Sequence, residues 1–126
     1  MNLNQITLPV IDMRISTKFY RDLGFTQIVD TPYYARFECP EGNSTFSLLL
    51  QDKQSESGTV IYFEHEKLDD LVNTLKAKGF FFDQEATDQS YLWREAILHD
   101  PSGNKIKLYW AGKNRINPPW RVSLRS

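Results

Sequence analysis

His99-Asp100-Pro101-Ser102-Gly103-Asn104-Lys105-Ile106-Lys107-Leu108-Tyr109 is the stretch from which the fold is read. Asp-Pro followed by Gly-Asn is turn chemistry: proline presets φ, and glycine and asparagine tolerate the left-handed region. Ala96, Ile97 and Leu98 supply an apolar run before the turn, and Ile106, Leu108 and Trp110 alternate with Lys105, Lys107 and Tyr109 after it. The stretch therefore closes a β-hairpin. It has a partial echo at Pro40, Gly42 and Asn43, which precede Pro101, Gly103 and Asn104 by a constant offset of 61.

Outward from the hairpin, residues 91–99 read as a strand, 83–90 as a polar loop and 80–82 as a further strand. Leu68, Leu71, Val72 and Leu75 recur at helical spacing, and Gly79 ends that helix. Residues 59–64 alternate, with Ile61 and Phe63 opposite Val60, Tyr62 and Glu64. The order is β-α-β-β-β, preceded by a polar linker over 51–58. The first part of the chain has the same order. Ile6, Leu8 and Val10 form the apolar face of a strand over 3–10. Asp12 stands where an N-cap belongs, Ile15, Phe19, Tyr20 and Leu23 mark a helix, and Gly24 closes it. Strands follow over 25–29, 33–38 and 45–51, broken by Thr31-Pro32 and by the turn at Pro40 to Asn43.

The two parts overlay. Ile6, Leu8, Gly24 and Phe25 match Ile61, Phe63, Gly79 and Phe80 at an offset of 55, and the later turn matches at 61. A duplicated module explains matched strands, helices and turns in one order. The expected fold is α+β: two tandem βαβββ modules, about 1–52 and 58–126, forming one domain with a curved mixed sheet around a cavity. At 126 residues such a domain can bury a real core. A net charge of −1 gives no sign of a nucleic-acid or membrane surface. No apolar run reaches the length of a membrane span, and no charged-then-apolar leader opens the chain. Cys39 is alone, which fits a reducing compartment, so a cytoplasmic protein is expected.

These motifs resemble the vicinal oxygen chelate superfamily, which groups glyoxalase I, bleomycin-resistance proteins and extradiol dioxygenases. The resemblance rests on Val10-Ile11-Asp12 after the first strand, Phe19-Tyr20-Arg21-Asp22-Leu23-Gly24-Phe25, Trp93-Arg94-Glu95-Ala96, the Asp100 to Tyr109 stretch, and the tail from Asn114 to Arg121. It implies paired modules around a cavity, usually completed in a dimer, so a homodimer is expected. Metal-dependent relatives place His, Gln or Glu at four inward positions of the first and last strands of both modules. Those positions fall here on Gln5, on Phe46, Ser47 or Leu48, on Val60 and on Lys107. A hydrocarbon and an ammonium do not hold a metal, so the resemblance implies a scaffold without its metal site and without a cofactor.

With Ile6, Leu8, Ile61, Phe63, Ile106 and Leu108 packed on the helices, the opposite faces carry the candidate ligand-binding residues. These are Gln5, Tyr34, Arg36, Tyr62, Glu64, Lys107 and Tyr109, with Trp93 or Arg94 joining them according to the parity of their strand. Aromatic rings beside a few charges suit a polar, partly planar small molecule. Alternatively these residues are a solvated outer face, or Lys107 and Glu64 form an internal ion pair. His65 and His99 read as surface or turn residues and Cys39 as a small residue without a base; Trp120 on its stiff tail covers the cavity mouth, docks on a partner subunit or plugs the domain's own surface, with packing the favoured reading. The expected function is metal-independent binding, by sequestration or sensing. The alternative is a glyoxalase-like lyase or isomerase, or a dioxygenase, with a divergent metal set or metal-free acid–base work. In the metal-free case Lys107 would be a base lowered by burial and Glu64 its partner acid.

Overall fold

The computed structural model describes residues 1–54 and 56–125. The elements run β1 (Gln5–Val10), α1 (Met13–Leu23), β2 (Thr26–Asp30), β3 (Tyr34–Glu38), β4 (Thr45–Leu50), β5 (Val60–Glu64), α2 (Leu68–Ala77), β6 (Gln84–Asp88), β7 (Arg94–His99) and β8 (Lys105–Trp110). They form two tandem βαβββ modules with two four-stranded mixed sheets, ordered β1-β4-β3-β2 and β5-β8-β7-β6. β1 pairs in parallel with β4, and β5 in parallel with β8. The described chain divides into two compact units, Met1–Thr59 with His99–Asn104, and Val60–Leu98 with Lys105–Ser126.

In the first unit α1 begins as its sequence dictates. The Asp12 carboxylate accepts the Ile15 amide at 2.9 Å, satisfying a free donor of the first turn. At the other end the Gly24 amide donates to the Arg21 carbonyl and Phe25 to that of Tyr20, both at 3.1 Å. Gly24 takes φ +121° to make this possible, a conformation that disfavours any side chain. The second unit repeats the device, with Gly79 bonded to Lys76 and Phe80 to Leu75.

The buried face of α1 is Met13, Ser16, Thr17, Tyr20 and Leu23. This corrects the apolar reading, because Ile15 is 54 % exposed and Phe19 only half-buried. Small Ser16 and Thr17 let the helix lie close to its sheet, and the aromatic rings fill the remaining space. Tyr20 meets Phe46 edge-on at 5.1 Å, and Phe46 stacks on Phe37 at 5.2 Å. The Ser16 hydroxyl is buried with no hydrogen-bond partner among the described residues. Replacing Ser16 with alanine is therefore expected to raise stability by up to about 1 kcal/mol, read as a higher urea midpoint at unchanged slope.

Two readings of the second module are corrected. Residues 80–82 are not a strand, and the polar 83–90 segment contains β6. Its alternation is obscured because Glu85, Thr87 and Asp88 are exposed on an edge strand, and a register shift interrupts its pairing with β7. Trp120 is 56 % exposed, so the tail residue is not a packing plug.

The hairpin turn packs within the first unit. Asp100 is buried, and its Oδ1 accepts the Ser102 and Asn104 amides at 2.9 Å. Its Oδ2 accepts the Tyr20 hydroxyl at 2.7 Å and the Asn104 side-chain amide at 2.8 Å. Asn104 also donates to the Pro9 carbonyl at 2.8 Å, and the Ile11 amide donates to Ser102 at 3.0 Å. Burial, and then the charge of Asp100, push the Tyr20 phenol well above its ordinary range, so it stays a donor.

Candidate functional site

Each sheet packs one face on its helix, and its other face carries the candidate residues. In the second unit Ile61, Ile106, Leu108, Ala96 and Leu98 are buried core residues. Alternation then sets Tyr62, Lys107, Tyr109, Trp93 and Glu95 on the opposite face. The Trp93 indole stacks on Tyr109 at 4.7 Å with 20° between planes, and Tyr62 meets both rings edge-on at 6.0 and 5.6 Å. Tyr91 meets Trp93 at 5.9 Å. Tyr109 is 6 % exposed, whereas Tyr62 is 44 % exposed and forms the outer surface of the cluster.

Beneath the rings lies an ion pair that the sequence reading missed. Lys107 Nζ stands 3.2 Å from Glu95 Oε1, with side-chain exposures of 16 % and 2 %. Tyr91 donates to the same carboxylate oxygen at 2.7 Å, and the ammonium lies 5.5 Å from the Tyr62 ring centre. Burial acts to lower Lys107, but the hydrogen bond to Glu95 and its charge more than offset this, and the net direction is upward. This overturns the idea of Lys107 as a base lowered by burial. Burial, followed by Glu95, raises the Tyr91 phenol.

Glu64 is not the partner of Lys107. Its Oε2 accepts the amides of Ala111 and Gly112 at 3.0 Å each, capping a short 3-10 turn at Gly112–Asn114. The Asn114 carbonyl of that turn accepts the Trp93 indole at 3.2 Å. Glu64 thus anchors the turn that orients Trp93, and its charge, after burial, raises Tyr109. Arg94 lies on the other side of β7, in phase with Ala96 and Leu98. It pairs with Asp69 of α2 and with Asp88, both at 2.9 Å. Those two carboxylates hold the Arg94 guanidinium upward, and its hydrogen bonds hold Asp69 downward. The open parity position belongs to Trp93 and Glu95. Ile97, an apolar residue on that same phase, hid this from the sequence.

In the first unit the face away from α1 carries Gln5, Tyr34, Arg36 and Ser47. Gln5 pairs in register with Thr45 as Val60 does with Lys105, so Ser47 is the counterpart of Lys107. This register selects Ser47 from the three candidates. Gln5 Nε2 donates to Ser47 Oγ at 2.7 Å, and its carbonyl oxygen accepts the Thr45 hydroxyl. Tyr34 Oη lies 2.5 Å from Ser47 Oγ and accepts Arg36 Nε and Nη2 at 3.1 and 2.9 Å. The Ser47 hydrogen bond, opposed by burial and aided by Arg36, sets the Tyr34 phenol below its ordinary value. A spectrophotometric titration is expected to show one tyrosine ionising early in the native protein and absent from the Tyr34→Phe variant.

Elsewhere, His65 Nδ1 accepts the Lys67 amide at 3.0 Å and caps a surface turn. Burial raises the Cys39 thiol, the opposite of what a nucleophile needs. Among the described residues no helix is long and apolar enough to cross a membrane.

A family model described as the Glyoxalase/Bleomycin resistance protein/Dioxygenase superfamily matches residues 2–108. A solved glyoxalase/bleomycin resistance protein/dioxygenase from Nocardioides has 20 % identity and a TM-score of 0.77, over 98 % of this chain and 90 % of that one. A bleomycin-binding protein complexed with bleomycin has 17 % identity and a TM-score of 0.72, over 87 % of this chain and 98 % of its own. Lactoylglutathione lyase from Agrobacterium tumefaciens has 15 % identity and a TM-score of 0.70, over 86 % and 92 %. At these identities the likeness is one of fold. No curated protein matches the chain in sequence.

Proposed function

Because the chain belongs to the Glyoxalase/Bleomycin resistance protein/Dioxygenase superfamily, we propose that it is a metal-independent binding protein that sequesters or senses a polar, partly aromatic small molecule. The observation that carries this reading is the aromatic face of the second sheet. Trp93 stacked on Tyr109, with the exposed edge-on Tyr62, offers a flat ring a rigid surface next to the Lys107 charge. The bleomycin complex of one structural neighbour supports small-molecule binding on this scaffold.

The donor set supports metal independence. Val60 has no ligating atom, Lys107 carries an ammonium held by Glu95, and the Gln5 carbonyl oxygen already accepts Thr45. Such a set does not suit a divalent cation. The raised Lys107 counts against its use as the base in the metal-free acid–base alternative. A homodimer is supported by the exposed Trp120, Val122 and Leu124, apolar surface for a second copy to cover, and is checked by sedimentation equilibrium. The lone Cys39 supports a cytoplasmic setting.

The test is thermal unfolding with 2-naphthol, a neutral planar probe. A ligand bound to the native state raises the midpoint with concentration. The rise is expected in the native protein, unchanged after dialysis against a chelator, and lost in Tyr62→Ala. No rise at any concentration would sink the binding reading. A stoichiometric divalent ion bound through Gln5 would sink metal independence.

A further inference from the structure

The network of Gln5, Ser47, Tyr34 and Arg36 on the first sheet has more hydrogen-bond donors than acceptors. Gln5 Nε2 spends its protons on the Ile6 carbonyl at 3.0 Å and on Ser47 Oγ at 2.7 Å. Arg36 directs two N–H groups onto Tyr34 Oη. Ser47 Oγ and Tyr34 Oη share a single contact of 2.5 Å, which uses one of their two hydroxyl protons. If Tyr34 donates, the Ser47 proton has no acceptor in the network; if Ser47 donates, the Tyr34 proton has none. Ser47 is fully buried and gives its proton to Tyr34, so the surplus proton is that of the half-buried Tyr34 hydroxyl.

Charge points the same way. Among the described residues no carboxylate lies within ion-pair distance of Arg36, even though Glu38 is two positions along the same strand. Nη1 of Arg36 makes no hydrogen bond to any described residue. The lowered Tyr34 phenol is a further sign of a donor-rich, positive environment. What completes the network is a group with only acceptors, a negative charge and two oxygens to meet a guanidinium fork.

We infer that Arg36 and Tyr34, held in place by Ser47, form an oxyanion subsite on the first sheet that takes a small carboxylate. The subsite lies wholly within the first unit and suits a compact carboxylate. The carboxylate receives the uncommitted N–H groups of Arg36 on one oxygen and the surplus hydroxyl proton on the other. Gln5 acts on the ligand only through Ser47, as a positioning residue that fixes the hydroxyl.

The test uses acetate and its neutral isostere acetamide, followed by NMR at the Arg36 Nε–H, the Tyr34 ring and the Ser47 amide. Acetate is expected to shift all three saturably, and acetamide to leave them in place. Arg36→Gln is expected to remove the Tyr34 and Ser47 shifts. Arg36→Lys, which keeps the charge without the fork, retains them with affinity weaker by about tenfold, or ~1.4 kcal/mol. Equal responses to acetate and acetamide, no response to either, or an acetate response that survives Arg36→Gln each overturns the inference. Tighter saturation by inorganic phosphate than by acetate overturns the carboxylate assignment. These probes do not need the rings of the second unit, so failure here leaves the 2-naphthol result standing, and the reverse holds too.

Discussion

Replacing Asp100 by alanine is expected to lower the free energy of unfolding by about 3–4 kcal/mol, among the largest effects of any single change in this chain. The carboxylate is buried and accepts four hydrogen bonds, from the Ser102 and Asn104 amides, the Asn104 side chain and the Tyr20 hydroxyl. Bonds to a charged acceptor contribute about 1.5–3 kcal/mol each in isolation, and their loss is partly relieved when the turn opens to water. The Tyr20 hydroxyl finds no such relief inside its buried aromatic cluster. Tyr20→Phe is the milder companion, expected to cost about 1.5–2 kcal/mol because it removes donor and penalty together. Urea unfolding of the three proteins measures this ordering. An Asp100→Ala variant no weaker than Tyr20→Phe would show that the carboxylate does not organise the turn.

Replacing Lys107 by methionine is expected to cost about 3 kcal/mol or more, although methionine fits the space and is the more apolar side chain. Glu95 is 2 % exposed and would keep only the Tyr91 hydroxyl as a side-chain donor, leaving a buried carboxylate without its counter-ion. The Glu95→Gln and Lys107→Met double variant is expected to recover most of the loss. A coupling free energy of about 2 kcal/mol or more between the two sites is the measured quantity. The pH dependence has a definite sign. Lys107 is raised in the folded state, so its stabilising effect is fully present below the ordinary lysine value and fades as pH rises through the raised one. The gap between wild type and Lys107→Met should therefore narrow in strong alkali, as the ammonium loses its charge. A gap that already narrows at pH below the ordinary lysine value, as pH rises, would contradict the raised value.

Most of the fold is legible because it depends on local chemistry. The Asp12 cap, the glycines after both helices and the Asp-Pro-Ser-Gly-Asn turn each carry their own backbone requirement. The duplication is legible because those signals recur in order. Edge strand β6 is not, since half its residues face water and its pairing slips. In the candidate site, alternation correctly sets Tyr34 and Arg36 beside each other, and Tyr62 with Lys107 and Tyr109. It cannot choose the partner of a charge across a sheet. Lys107 is in reach of carboxylates on two strands, and only the packing of Glu64 over the 3-10 turn assigns the pair to Glu95. Nor could parity separate Trp93 from Arg94, because both phases of β7 contain apolar residues.

The turn from His99 to Asn104 also has a consequence for biosynthesis. Its bonds to Tyr20, Ile11 and Pro9 span 80, 91 and 95 residues of sequence. A nascent chain leaves the ribosome from its N-terminus, so α1 and β1 emerge well before the groups that complete them. Until Asn104 is released, Tyr20 has no carboxylate and the Pro9 carbonyl lacks its side-chain donor. The first unit therefore cannot finish folding when its own continuous segment is made; it waits for most of the second. Translation stalled near residue 60 should yield a protease-sensitive chain, and one stalled far enough past 104 to clear the exit tunnel should yield a protected one.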